Sequence, residues 1–188
     1  MSIDYNNTNS VLSVFDKQSV HFADKPYLWH KINNEYTSLT WTEVRDKIKQ
    51  LADALLSAGI LKGDRVIIVS ENRPEWQIAD LAIMAIGAIT VPAYITNTTS
   101  DHEYIIKHSG SRALIVSNHI LAKKVLPAVA RSPQCKIVIK IENDSESYDY
   151  PVTVLSWNLL LEEKKNSSFN LTDAVASHKS SDTACIIY

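Results

Sequence analysis

Glycine is scarce in this chain. Its 188 residues include only Gly59, Gly63, Gly87 and Gly110, about a third of the roughly 7% that is usual. No two of them lie closer than four positions apart. A glycine-rich phosphate loop needs clustered glycines, so neither G-x-G-x-x-G nor G-x-x-x-x-G-K-[ST] exists within the chain. Cysteine is scarcer still. Cys135 and Cys185 have no metal-ligand spacing. Both read as buried small apolar residues in strand-like contexts, as expected of a reducing compartment. An excess of positive charge is also missing: 19 basic residues stand against 21 acidic ones, a formal net charge of −2. That gives no electrostatic case for a nucleic-acid partner, for which a basic stripe would be expected. The pairs Lys123-Lys124 and Lys164-Lys165 read as solvated helix faces. No long hydrophobic run is present. The longest, Leu81–Ile95, contains Pro92 and falls short of the ~20 residues a bilayer crossing requires. Met1–Ser10 is polar and lacks the apolar core of a signal peptide. The expected location is therefore cytoplasmic, and the sequons at Asn6, Asn97, Asn166 and Asn170 carry no weight.

Apolar residues are plentiful, at 45%, enough for one domain with a real core. The organising stretch is Arg65–Tyr94. Arg65–Ser70 is a short β-branched run that fits a strand buried on both faces. Asn72 or Arg73 then caps a helix with Pro74 at its first position, Glu75 at the positive end of its dipole and Gly87 as its stop. Ile89–Tyr94 is a second strand. Two strands joined by a helix of this length should be parallel.

The flanks follow the same logic. Met1–Ser10 is a polar lead into a short helix, Val11–Phe22, whose apolar part is Val11, Leu12, Val14 and Phe15. Pro26–Trp41 alternates around Asn33-Asn34, which tolerate positive φ, and reads as a β-hairpin. Thr42–Ala58 is the clearest helix: Val44, Ile48, Leu51, Leu55 and Ala58 form one stripe, and Thr40 with Glu43 fits a capping box. Ser100-Asp101-His102-Glu103 reads as a second capping box, opening a helix to Ser109 with Gly110 as its stop. Ala113–Val116 is a strand. Ile120–Ala130 is a helix with Ile120, Leu121, Val125, Leu126 and Val129 inward. Lys136–Ile141 is a strand, Glu142–Pro151 an acidic loop, Ser156–Glu163 a short helix, Asn166–Ser181 a polar stretch and Thr183–Tyr188 a last strand. The alternation predicts an α/β layered fold, a mainly parallel sheet with flanking helices and an N-terminal β-hairpin.

Candidate chemistry is thin. His102-Glu103 with His108 suggests a metal helix, but the two histidines stand about 120° apart around it, not on one face. Capping and solvent exposure account for them better. Glu71 and Glu75 are a carboxylate pair at a helix entry with no nucleophile or positioned partner in view, so helix-start electrostatics accounts for them. Trp76 reads as a packing residue. Ser70, between strand and helix, lacks the flanking glycines of a nucleophile elbow.

The ordered motifs nevertheless form a recognisable series: Leu39-Thr40-Trp41-Thr42-Glu43-Val44, Gly59-Ile60, Gly63-Asp64-Arg65-Val66, Ser70-Glu71-Asn72-Arg73-Pro74-Glu75-Trp76, Asp80-Leu81-Ala82-Ile83, and Gly87-Ala88-Ile89-Thr90-Val91-Pro92-Ala93-Tyr94. From about Phe15 to Tyr188 the chain resembles the N-terminal part of the AMP-forming acyl-CoA synthetases. These belong to the adenylate-forming superfamily. The Glu-Asn-Arg-Pro-Glu-Trp form is most similar to the long-chain fatty acid–CoA ligase branch. The resemblance implies a partial N-terminal subdomain, residues 15–188, behind the polar lead of residues 1–14. It implies ATP, Mg²⁺, CoA and a fatty acid for a complete enzyme. The family's Thr/Ser/Gly-rich phosphate loop would follow the strand that ends at Tyr188, so the resemblance places no catalytic, cofactor-binding or metal residue in this chain. The chain alone is expected to bind no cofactor and to be inactive. Other expectations are an exposed apolar edge at the last strand, through which copies could associate, and peripheral membrane contact, for which no basic amphipathic helix argues. Two alternatives stay open: a non-catalytic interaction module, and a ligase for a different carboxylic acid.

Overall fold

The structure, a computed structural model, describes residues 8–143 and 149–188. Helix α1 (Val11–Phe22) starts at a reciprocal cap between Ser10 and Ser13. Strands β1 (Pro26–Ile32) and β2 (Glu35–Thr40) form an antiparallel hairpin. Asn33 and Asn34 turn it at φ of 49° and 70°, as a two-residue loop with right-handed strand twist requires. Helix α2 (Trp41–Ser57) opens on the expected capping box: the Glu43 N–H donates to Thr40 Oγ1 at 3.2 Å, and the Thr40 N–H donates to the Glu43 carboxylate at 2.7 Å. Its stripe of Val44, Ile48, Leu51 and Leu55 is fully buried.

The main sheet is built from β3 (Arg65–Val69), β4 (Ile89–Pro92), β5 (Ala113–Val116), β6 (Ile137–Lys140) and β7 (Thr153–Ser156). Its order is β4-β3-β5-β6-β7 and every pair is parallel. Helices α3 (Pro74–Ala85), α4 (Thr99–Ser109), α5 (His119–Ala130), α6 (Trp157–Glu163) and α7 (Leu171–Ser177) complete the chain. Side chains alternate across the sheet. Val66 and Ile68 join the core beneath α1, α2 and α3, whereas Ile67 and Val69 join the core beneath α4 and α5. Burial on both faces is why these strands are unbroken apolar runs. The chain leaves β3 for β4, then returns past β3 to β5. With crossovers of one hand, that reversal sends α3 to one face and α4 and α5 to the other.

Several expectations need correction. The second capping box is Thr98 with Asp101, not Ser100 with Glu103. Both four-residue windows fit the pattern. The earlier one leaves Glu103 free to meet Lys107 and Arg131. Ile120 is 60% exposed: it lies on the outer side of α5, whereas its neighbours Leu121 and Ala122 face the core. Val11 is exposed as well, and Leu12 and Phe15 carry the packing of α1. Strand β7 and helix α7 have no counterpart in the sequence reading. α7 lies in the supposedly polar stretch, capped by Asn170 and anchored by buried Leu171. The acidic loop falls partly on residues 144–148 and the polar lead partly on residues 1–7, outside the described residues.

Thr183–Tyr188 is not a strand. It makes one parallel bridge, Thr90 to Cys185, with Thr90 N–H donating to Ala184 O at 3.1 Å and Ile186 N–H donating to Thr90 O at 3.0 Å. The next outward-facing residue of β4 is Pro92, which has no N–H to extend the ladder. Cys185 is accordingly exposed, while Cys135 is buried, in the turn before β6 rather than in a strand.

Candidate functional site at the carboxyl edge of the sheet

Open α/β sheets place ligands outside the carboxyl ends of their strands, where the strand order reverses. Here that point lies between β3 and β5. Ser70–Arg73 leaves β3, Ser117-Asn118 leaves β5, and Glu142 follows β6. These three loops are tied together. The Ser117 hydroxyl donates to Glu71 Oε2 at 2.5 Å, and Asn118 Nδ2 donates to Glu71 Oε1 at 2.7 Å. Arg73 donates to Glu75 at 2.8 Å and to Glu142 at 2.7 Å. Asn118 also caps α5, its Oδ1 accepting from the Leu121 N–H at 3.0 Å.

Partial burial pushes the Glu71 carboxyl up. The bonds from Ser117, from its own backbone N–H and from Asn118, together with the Arg73 charge, outweigh burial and hold it below its ordinary value. Glu71 is therefore not a helix-start residue in waiting for a partner. It is an ionised carboxylate with two side-chain donors, which sequence reasoning missed because Ser117 and Asn118 lie nearly fifty positions away. The legible half of that signal was Asn118 itself, a cap residue directly after a strand. Glu75 does sit in the first turn of α3, as expected, and pairs with Arg73.

Two clefts flank this knot. One, of about 750 Å³, lies between the hairpin residues Leu28–Ile32 and residues Glu71–Gln77. The other, of about 480 Å³, is walled by Trp76, Pro92, Tyr94, Ile95 and Ile187, with Ser70, Glu71 and Asn72 as its polar side. Glu71, Asn72 and Trp76 border both. Trp76 also packs partly buried against the core, as its sequence reading held.

The remaining candidates are not brought together. Ser70 donates to the Glu71 carbonyl at 2.9 Å and has no base beside it. Ser117 is fully buried. His102 is not a solvent-exposed capping residue: it is 1% exposed, on the buried side of α4, and its Nε2 has no hydrogen-bond partner. Burial lowers its pKa, nearby Asp101 opposes that, and Lys124 adds to it. His108 is exposed and meets the Tyr188 hydroxyl at 2.8 Å. Burial pushes the Cys135 thiol up to about 12, so it is inert. Among the described residues no three His, Cys, Asp or Glu side chains could hold a metal ion, and no helix is long and apolar enough to cross a membrane. Lys124 donates to the Ile95 carbonyl and Lys164 pairs with Asp53 and Ser57, so neither lysine pair is a bare charged face.

This edge does not fit a nucleotide phosphate. Its guanidinium is engaged by two carboxylates, and the Ser117 and Asn118 donors are filled by a third. The arrangement can hold and orient loops, and among the described residues it sets no nucleophile beside a base.

The sheet is thus open and doubly wound, with the loops at its carboxyl edge tied to one another. The chain belongs to the AMP-binding enzyme family, whose sequence profile matches residues 15–188. It is 30% identical over 157 residues to the long-chain-fatty-acid–CoA ligase FadD15 of Mycobacterium tuberculosis, a match covering 84% of this chain and 25% of that protein. It is 26% identical over 181 residues to the long-chain-fatty-acid–CoA ligase ACSBG2 of Gallus gallus, covering 95% of this chain and 24% of that one. A crystal structure of a mutant coronafacic acid ligase from Pectobacterium brasiliense superposes with a TM-score of 0.79 at 21% identity, covering 94% of this chain and 33% of that chain. The chain thus spans about a quarter of the length of the curated relatives it matches, and its fold is that of the N-terminal part of adenylate-forming enzymes.

Proposed function

We propose that this chain is the N-terminal part of a long-chain fatty acid–CoA ligase. The observation that carries the reading is the family match running without interruption from residue 15 to residue 188, together with relatives named as ligases of that substrate class. In the complete enzyme, ATP and the fatty acid give an acyl-adenylate and pyrophosphate, and the CoA thiol then displaces AMP to give a thioester. ATP, Mg²⁺ and CoA serve that enzyme, not these residues. The role of residues 15–188 is to build the parallel sheet and to present its carboxyl edge to the rest of the molecule. By itself the 188-residue chain forms no adenylate. The assay is fatty-acid-dependent pyrophosphate release from ATP and Mg²⁺ by the purified chain. No release above the buffer blank is expected, and release that tracks added fatty acid overturns the reading.

A second reading, self-association, is favoured by the apolar groups left at the β4 edge. Ile187 is 72% and Tyr94 67% exposed, and exposed edges with apolar side chains invite pairing. Light scattering that finds a monomer at all concentrations removes it.

A further inference from the structure

We propose that Glu71 is a positioning residue: bound to Ser117 and Asn118, it holds the Ser70–Arg73 turn as the partition between the two clefts and thereby sets Trp76. The proposal rests on the ligase reading only for what the clefts serve. The geometry stands apart from it.

Three observations carry the proposal. First, the site across from Glu71 demands an acceptor. Asn118 Oδ1 is committed to the Leu121 N–H, so its Nδ2 must face outward, where it meets Glu71 Oε1 at 2.7 Å. Ser117 is fully buried, and its hydroxyl spends its proton on Glu71 Oε2 at 2.5 Å. Removing the carboxylate leaves the fully buried Ser117 hydroxyl without its acceptor, which is costly, and takes the partner from the half-buried Asn118 amide as well. Second, Glu71 is the turn's tie to the loop after β5, while its other long-range side-chain tie, Arg73 to Glu142, goes to the end of β6. Arg73 stands at the N-cap of α3 without a side-chain cap bond, and its guanidinium is engaged outward with Glu75 and Glu142. Third, the turn leads straight to Trp76, whose backbone N–H donates to the Arg73 carbonyl at 3.0 Å. A displacement of the turn therefore moves the indole that borders both clefts. Glu71 acts through Trp76 and needs no contact with a reacting group.

The test reads Trp76 directly. The chain has four tryptophans, Trp29, Trp41, Trp76 and Trp157, so 5-fluorotryptophan labelling gives four ¹⁹F resonances, assigned by single Trp→Phe variants. In Glu71→Ala the Trp76 line is expected to move by more than its linewidth while the other three stay in place. Glu71→Gln, which retains an oxygen for Asn118 and a nitrogen that the Ser117 oxygen can accept from, should move the line less than Glu71→Ala. A Trp76 line unmoved in folded Glu71→Ala, or four lines moving together, overturns the proposal. Should Glu71→Ala not fold, Ser117→Ala, which deletes one of the two bonds, is read by the same criteria. None of these outcomes depends on pyrophosphate chemistry, so this proposal and the ligase reading can fail separately.

Discussion

Arg73 Nη1 and Glu142 Oε1 meet at 2.7 Å across 69 positions of sequence, tying the start of α3 to the end of β6. The guanidinium is mostly covered, while half of the Glu142 side chain is exposed. A partly exposed pair of this kind is worth about 0.5–1 kcal/mol. Glu142→Gln should lower stability by about that amount in urea melts at low salt. The difference should shrink as salt screens the pair. A loss unaffected by salt would mean that the residue acts by packing instead.

The cap of α4 gives a sharper test. Thr98→Ala removes the acceptor for the Asp101 N–H and should cost about 1 kcal/mol. Ser100→Ala should cost little, since the Ser100 hydroxyl meets the Thr98 hydroxyl and not a helix N–H. Equal costs in paired urea melts would contradict the observed helix start.

That helix also marks where the sequence was legible and where it was not. The existence of α4 and its end at Gly110 followed from local chemistry. Its first residue did not, because Thr98…Asp101 and Ser100…Glu103 satisfy the same pattern, and distant partners for Glu103 decide between them. The same division runs through the whole fold. Periodicity placed α2, β3 and β5. β7 escaped because Thr153–Ser156 is a half-exposed edge strand without the apolar run of a buried one. The last strand failed at Pro92, whose missing N–H acts on the neighbouring segment. At the carboxyl edge, Glu71, Arg73 and Glu75 were visible as residues, but their partners on other strand ends were set by topology alone.

Pro92→Val follows from that failure. It supplies the N–H that the outer edge of β4 lacks, which the parallel register would pair with the carbonyl of Ile186. Native-state hydrogen exchange should show the new amide at position 92 protected and the Ile186 amide exchanging more slowly. Free exchange at both positions would mean that something other than the missing donor stops the ladder.

His102 should make stability pH-dependent. Its folded pKa lies below the ordinary 6.5, because burial penalises the charged ring. The unfolded chain therefore binds the proton more readily. Stability from the neutral ring is complete above about pH 6.5 and declines as pH falls from there toward the folded value. His102→Leu should flatten the slope of unfolding free energy between pH 7 and the onset of carboxylate titration. An unchanged slope would assign it to other groups.

Asp80 carries the opposite sign. Burial raises its carboxyl, partly opposed by the Thr90 hydroxyl, so its penalty appears as pH rises from its ordinary value through the folded one. Asp80→Asn should therefore be more stable relative to the parent at pH 7 than at pH 3. A reversed order in thermal melts would exclude burial as the dominant cause.

The central claim is that these residues are scaffold within a larger ligase. The most direct measurement is to isolate the native protein from its own cells with an antibody raised against this chain, record its intact mass, and assay the same preparation for fatty-acid-dependent pyrophosphate release. The account predicts a polypeptide several-fold larger than 188 residues that releases pyrophosphate only when fatty acid is present. A native protein no larger than this chain, or a larger one indifferent to fatty acid, would contradict it.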